Sequence, residues 1–171
     1  MHHAAGMNKT TKAAIIGHPT DKDMFRTFIQ TLRSDKTWSD DLLIKLFEWA
    51  HSFRAGNVDG ICLDGVTNVD SSVYMVPFLP EMRDIKLRRV IEKVEEALDL
   101  AAQDGCTVAA MGAFTSIVLQ GIEADLEKKH GIRITSGNSL TAAIIVRSVE
   151  ELTRRFHLRM EELVIGIVGA S

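Results

Sequence analysis

Residues 107–116, Thr-Val-Ala-Ala-Met-Gly-Ala-Phe-Thr-Ser, decide the fold class. The apolar segment Thr107–Met111 predicts a short strand, and residues 112–115 predict a loop. Short helical segments are expected to follow from about 116 to 129, closed by Gly131. One strand, one loop and helical turns therefore follow each other within 25 residues, which is typical of an α/β protein.

The same order is repeated immediately downstream. Residues 132–135 predict a strand, 136–139 a loop, and 140 to about 157 a long helix. Such alternation favours a partly parallel sheet covered on both faces. The predicted fold is therefore α/β, a three-layer sandwich with a mixed, partly parallel sheet, truncated at the start of a Rossmann domain.

The first half of the chain predicts a strand and two helices. The strand is Ala13-Ala-Ile-Ile16, and it is stopped by a loop with glycine and proline. Asp21 and Asp23 suit the start of the first helix. Either Thr37 or Ser39 can cap the second helix, whose apolar residues form a broad stripe.

A hairpin and a long helix are expected next. Residues 58–63 and 72–76 predict two strands joined by the turn signal Asp64-Gly65, so they can pair as a hairpin. The long helix is predicted from about Met82 to Gln103, because apolar residues recur there at helical spacing. Asp104-Gly105 is a typical helix end.

The C-terminal segment, Leu163-Val-Ile-Gly-Ile-Val-Gly-Ala-Ser171, resembles the entry to a nucleotide-binding turn. A dinucleotide-binding fold places a glycine-rich turn directly after its first strand, at a helix N-terminus. Gly169, Ala170 and Ser171 are therefore candidate cofactor-binding residues. The alternative is an ordinary strand at the edge of any α/β sheet, since a partial fingerprint is a weak motif.

These patterns divide the chain into three parts. Residues 1–12 are expected to be an N-terminal tail or tag remnant, and 13–160 a substrate-side α/β domain. Residues 161–171 are expected to be the first strand of a truncated nucleotide-binding domain. Because residues 164–168 are apolar on both faces, they either pack internally or pair with a second copy, and we expect a homodimer.

Composition excludes several classes of protein. The chain has 171 residues, 46% apolar and 25% charged, with a net charge of −3, which argues against binding nucleic acid. No apolar run approaches the roughly 20 residues of a membrane span. Neither a secretory pattern nor a metal-binding motif is present, and the only cysteines are Cys62 and Cys106. A cytoplasmic protein with reduced thiols and no metal is expected.

Three loops are candidate ligand-binding segments, because each follows a strand and precedes a helix. They are residues 17–20, 112–116 and 136–141. The alternatives are structural: the hydroxyl groups can cap helices, an asparagine can occupy a turn, and a loop histidine can simply be exposed. The candidate cleft residues in these loops are His18, Phe114, Thr115, Ser116, Asn138 and Thr141.

A further candidate is the apolar segment 75–82, Met-Val-Pro-Phe-Leu-Pro-Glu-Met, with its two prolines and a single acid. It is either a rigid core connection or the wall of an apolar pocket with Glu81 at its rim.

Five pieces of sequence together resemble one family. They are Ile16-Gly-His-Pro-Thr20, Phe78-Leu-Pro-Glu-Met82, Gly112-Ala-Phe-Thr-Ser-Ile117, Thr135-Ser-Gly-Asn-Ser-Leu-Thr-Ala142 and Val168-Gly-Ala-Ser171. In this order they resemble the N-terminal domain of the long-chain fatty acyl-[acyl carrier protein] reductases that form aldehydes, which are distantly shikimate-dehydrogenase-like. The resemblance covers most of the chain after Ala13 and is weakest from Arg33 to Val73.

The resemblance implies a function. Those enzymes pass hydride from NADPH or NADH to an acyl thioester, either a small molecule or linked to a carrier protein, and release an aldehyde. A cysteine first takes the acyl group as an enzyme thioester. By this resemblance that cysteine lies beyond Ser171, and neither Cys62 nor Cys106 matches it. The fragment alone is therefore expected to be inactive.

Two alternatives remain open. The chain departs from the family at Ala113, where a glycine is usual, and at Ala143, where tyrosine is usual, so the substrate need not be a fatty acyl chain. A non-catalytic binding or regulatory module is the main alternative. The other is a dehydrogenase with a shikimate-dehydrogenase-like two-domain architecture. That reaction is disfavoured because residues 115–121 lack a lysine and 139–141 lack an aspartate.

Overall fold

The computed structural model describes residues 10–32, 38–63, 67–79, 82, 85–112 and 114–166. The chain divides into two compact units, Met1–Ser136 and Gly137–Ser171. The first unit is an α/β fold whose five-stranded sheet is mixed, mostly parallel and flanked by helices, which confirms the predicted fold class. Its elements in chain order are β1 (Thr10–Gly17), α1 (Lys22–Leu32), α2 (Asp40–Trp49), β2 (Phe53–Leu63), β3 (Thr67–Met75), α3 (Leu87–Gln103), β4 (Val108–Met111), α4 (Thr115–Val118), α5 (Glu123–His130) and β5 (Arg133–Thr135).

The strand order is β2-β3-β1-β4-β5. β1 lies in the centre and runs parallel to both neighbours, with Ala13 opposite Ser71 of β3 and Val108 of β4. β5 runs parallel to β4 at one edge. At the other edge β2 pairs antiparallel with β3, which confirms the predicted hairpin; its turn, residues 64–66, lies outside the described residues.

The core lies between the sheet and α3. Alternate side chains of a strand point to opposite faces, and Ala14 and Ile16 of β1 are buried where Ile15 is 36% exposed. The core-facing residues of α3 share one stripe at helical spacing. They are Val90, Val94, Ala97, Leu98 and Ala101.

The starts of α1 and α2 follow from capping. Oδ1 of Asp21 accepts a hydrogen bond from the backbone N–H of Met24 at 2.7 Å. That bond is the main cause of the lowered pKa of the Asp21 carboxyl. Oγ of Ser39 accepts a hydrogen bond from the backbone N–H of Leu42 at 3.4 Å. Ser39 is therefore the cap of α2, which confirms one of the two predicted alternatives.

One helix begins later than predicted. α3 begins at Leu87 rather than near Met82, because Met82 belongs to a turn in which its N–H donates to Leu79 O at 3.0 Å. The short helical segments predicted from about 116 to 129 are the two helices α4 and α5. Gly121 between them has a φ of 90°, a conformation that interrupts a helix.

The second unit contains α6 (Asn138–Phe156) and a 3-10 turn (Met160–Glu162). α6 ends where predicted, since His157 takes a left-handed conformation and its N–H donates to Thr153 O. Residues 163–166 have no regular structure, and 167–171 lie outside the described residues, so the terminal strand remains a prediction. No helix in the described ranges is long and apolar enough to span a membrane.

Candidate functional site

Two of the three candidate loops meet at the carboxyl edge of the sheet. β3, β1 and β4 are parallel, so their C-terminal ends share one edge. Main-chain bonds continue the pairing past the strands: Val76 N–H donates to Gly17 O, and Gly112 N–H to Ile16 O, both at 2.7 Å. The residues that follow β1, β3 and β4 are therefore neighbours, as open α/β sheets usually arrange their ligand loops.

His18 joins these loops through Nε2 and is fixed within its own loop through Nδ1. The backbone N–H of Phe114 donates to Nε2 of His18 at 3.0 Å, so Nε2 carries a lone pair and no proton. Nδ1 lies 2.7 Å from the carbonyl oxygen of Pro19, an acceptor only, so Nδ1 carries the proton. These partners select one tautomer of a neutral imidazole. His18 is thus a structural connection between two loops rather than an exposed base.

Aromatic contacts complete the junction. The ring centroids of His18 and Phe78 are 4.3 Å apart with the planes tilted by 39°. Phe114 meets His18 edge-on at 6.5 Å. His18 is 7% exposed and Phe78 2%, whereas Phe114 is 46% exposed. Of the three rings, Phe114 offers the most surface to a ligand.

Thr115 supports the second loop from within. It is fully buried, and its hydroxyl donates to Gly112 O at 2.5 Å. Its Oγ1 also lies 3.4 Å from Ile16 O. The hydroxyl is therefore committed to the main chain of the loop and of β1. Ser116, one residue on in α4, is half-buried.

The remaining candidates belong to the second unit or lie outside the described residues. Asn138 and Thr141 lie in the first turn of α6, in the second unit, where Thr141 Oγ1 donates to Gly137 O at 3.2 Å. Glu81 and the predicted cofactor-binding residues Gly169, Ala170 and Ser171 lie outside the described residues. Their roles stay predictions.

Sequence reasoning missed Lys93, a fully buried cation in α3. Nζ donates to Phe47 O at 2.9 Å and also to Ala50 O, both at the C-terminal end of α2. It therefore caps the negative end of that helix dipole from a neighbouring helix. Burial is the main cause that lowers the pKa of Lys93 to about 8, and Arg89 adds to it.

The thiol with described surroundings is far from the loops. Cys106 precedes β4, at the opposite end of that strand from Gly112, and is 6% exposed. Its Sγ lies 3.8 Å from the hydroxyl of Tyr74. Among the described residues no group of three or more His, Cys, Asp or Glu side chains is arranged to hold a metal ion.

Comparison with known proteins adds two relatives. The chain is 31% identical over 166 residues to the long-chain acyl-[acyl-carrier-protein] reductase of Synechococcus elongatus, a match of 92% of this chain and 47% of the relative. This chain is homologous to the N-terminal part of that reductase. The resemblance inferred from the loop motifs is thereby confirmed, whereas the shikimate-dehydrogenase likeness is not supported.

The second relative carries a different name. The chain is 25% identical over 170 residues to the aminotransferase PigE of a Serratia strain, across 92% of this chain and 19% of that protein. This chain thus spans about half of the reductase and a fifth of the aminotransferase. No protein-family model matches it.

Proposed function

We propose that this chain is the substrate-side domain of a nicotinamide-dependent reductase that converts acyl thioesters to aldehydes. The homology to the cyanobacterial reductase supports the activity, and the junction of His18 with Phe114 supports the site. We assign the acyl substrate, small or carried by a carrier protein, to the junction of the loops 17–20 and 112–116, and keep Asn138 and Thr141 as candidate substrate residues of the second unit. The protein would work in the reducing cytoplasm, where its thiols remain free.

In this proposal the described loops position the thioester and take no part in the reaction itself. The neutral His18 holds Phe114 in place and has both nitrogens engaged by the main chain. Main-chain N–H groups at the carboxyl edge are suited to a carbonyl or other electron-rich oxygen. The exposed Phe114 ring supplies apolar contact. Together they would orient a thioester without transferring a proton.

The chemistry itself requires groups outside these loops. Cys106 is buried at the other end of β4 and cannot reach an acyl group at Phe114. NADPH or NADH would supply the hydride when bound. We place the nucleophilic cysteine and most of the nucleotide site in other parts of a longer protein, with Gly169, Ala170 and Ser171 as the first residues of that site.

A two-part experiment tests this proposal. The 171-residue chain incubated with a long-chain acyl thioester and NADPH, or NADH, should form no aldehyde above background. A chimera in which this chain replaces the matching part of the Synechococcus reductase should form aldehyde. In that chimera Phe114→Ala should raise KM for the thioester, while Ile117→Ala, an exposed change in α4, should not. Steady turnover by the chain alone, or equal effects of both substitutions, would contradict the assignment.

The second candidate is a binding or regulatory module without catalysis. It is favoured by the match to a protein named as an aminotransferase, because the same region then occurs beside two different chemistries. A well-folded chimera that binds the thioester but never forms aldehyde would support this module. A shikimate-dehydrogenase-like two-domain enzyme would instead oxidise a small hydroxy acid and pass the hydride to NADP+ or NAD+, so it is tested in a separate assay that contains the oxidised cofactor.

A further inference from the structure

A separate apolar cavity lies on the helical side of the β2 edge. Its volume is about 490 Å³, and α1, the end of α2, β2 and the segment after β3 form its walls. We propose that it is a binding site for the saturated hydrocarbon part of a small molecule. Its apolar lining includes Phe28, Ile29, Leu46, Phe53, Ala55 and Pro77.

The walls of the cavity are fixed by contacts to the core. Phe25 packs on Phe47, with ring centroids 3.7 Å apart, and both rings are buried. Phe28 of α1 stacks on Phe53 of β2 at 5.5 Å. Lys93 holds the carbonyls at the end of α2 from below. α1 is therefore held to α2 and to β2, and α2 is held to α3.

The lining is chemically uniform. All but one of the lining side chains are apolar, and the exception is Arg54. Its guanidinium donates to Oδ1 of Asn57 at 2.6 Å and lies 3.6 Å from Oδ2 of Asp104. Asn57 and Asp104 thus engage two of its nitrogens, and the other lining side chains offer a ligand no polar group. A polar ligand would lose its hydrogen bonds to water here without replacement.

Size narrows the choice of occupant. The volume falls within the roughly 300–1,000 Å³ range of small-molecule pockets. A docked helix, about 10 Å wide with its side chains, would fit little more than one turn. Phe28 and Phe53 already use their ring faces on each other, which leaves less aromatic surface for a flat ligand. A flexible chain of methylene groups adapts best to these walls.

The inference does not rest on the proposed reductase activity, and its test contains neither thioester nor cofactor. The whole 171-residue chain is titrated with 1-hexanol, 1-octanol and 1-decanol by calorimetry. Each added methylene group should tighten binding about threefold to fourfold until the cavity is full. In NMR spectra the ring protons of Phe28 and Phe53 should shift on binding.

Two substitutions on the same strand give the decisive comparison. Ala55→Phe fills the cavity and should weaken binding of 1-octanol at least tenfold. Val58→Phe adds the same ring at a position outside the lining, 37% exposed, and should leave binding unchanged. Equal affinity of both variants, affinity independent of chain length, or unshifted Phe28 and Phe53 protons would overturn the proposal. Tighter binding of 2-phenylethanol than of 1-octanol would overturn the assignment to a saturated chain.

Discussion

Tyr74 donates its hydroxyl proton to Oδ2 of Asp104 at 2.7 Å, which ties β3 to the end of α3. Tyr74 is fully buried, and Asp104 also lies 3.6 Å from the guanidinium of Arg54. A buried hydroxyl that donates to a carboxylate makes one of the stronger hydrogen bonds in a protein. This pair should therefore contribute to stability.

Tyr74→Phe removes the hydroxyl and keeps the ring. The free energy of unfolding should fall by about 1–3 kcal/mol, because a hydrogen bond to a charged group is lost. Urea unfolding of wild type and variant measures the difference. Asp104→Asn, which retains an acceptor for Tyr74, should cost less. An unchanged unfolding midpoint for Tyr74→Phe would show that the bond contributes nothing.

The same tyrosine should make stability depend on alkaline pH. Burial, followed by the bond to Asp104, raises the pKa of Tyr74 above its ordinary 10.0. Above pH 10 the unfolded chain therefore loses this proton first, and the folded state loses stability as pH rises. The difference in unfolding free energy between wild type and Tyr74→Phe should be constant below pH 10 and decline above it. A difference that grows with pH would contradict the raised pKa.

Lys93 should give stability the opposite dependence on pH. Its pKa is lowered from 10.5 to about 8. Between these values the unfolded chain binds a proton that the folded chain does not, so stability rises with pH. Across this pH window the unfolding free energy of wild type should rise by up to about 3 kcal/mol relative to that of Lys93→Met. The control is Lys45→Met, a matched change at an exposed position of α2, measured over the same pH range.

The protonation of His18 can be read directly. Long-range proton–nitrogen NMR spectra at neutral pH should show Nδ1 protonated and Nε2 unprotonated, because the N–H of Phe114 donates to Nε2. His51, whose side chain is 81% exposed, serves as the comparison within the same spectrum. A proton found on Nε2 would break the proposed connection between the loops.

Two glycines should respond differently to alanine. Gly121 has a φ of 90°, so Gly121→Ala should cost about 1–2 kcal/mol of unfolding free energy. A Cβ on Gly112 would lie 3.5 Å from Ile16 O, an ordinary contact, so Gly112→Ala should change stability by less than about 0.5 kcal/mol. Thermal unfolding of both variants tests the contrast, and a larger loss for Gly112→Ala would reverse it.

The sequence predicted the fold better than the contacts within the site. Alternating apolar segments and glycine-rich loops indicated parallel strands, and the ends of β1 and β4 do meet. The bond from Phe114 to His18 could not be foreseen, because every residue except proline has a backbone N–H and its direction depends on the folded loop. Glu81 and the terminal glycine turn lie outside the described residues and remain predictions.

Other features were visible but were not recognised. Lys93 stands among Val90, Val94 and Ala97 on the buried face of α3, so its spacing alone marked it as a buried cation. Gly121 lies within the short helical segments predicted from about 116 to 129, and its place as the boundary between two of them was not recognised. The late start of α3 was harder to foresee, because apolar spacing does not distinguish a helix from a buried turn such as that at Met82.

The central place of β1 has a consequence for synthesis on the ribosome. β1 is made first, yet its two neighbours are β3 and β4, and Ala13 meets Val108 only after most of the first unit exists. Until then both of its edges offer unpaired main-chain groups. β2 and β3, adjacent in sequence, can pair early because their contact is local. β1 must therefore be kept from pairing wrongly until β4 emerges from the ribosome, and a chaperone would have most to do during that interval.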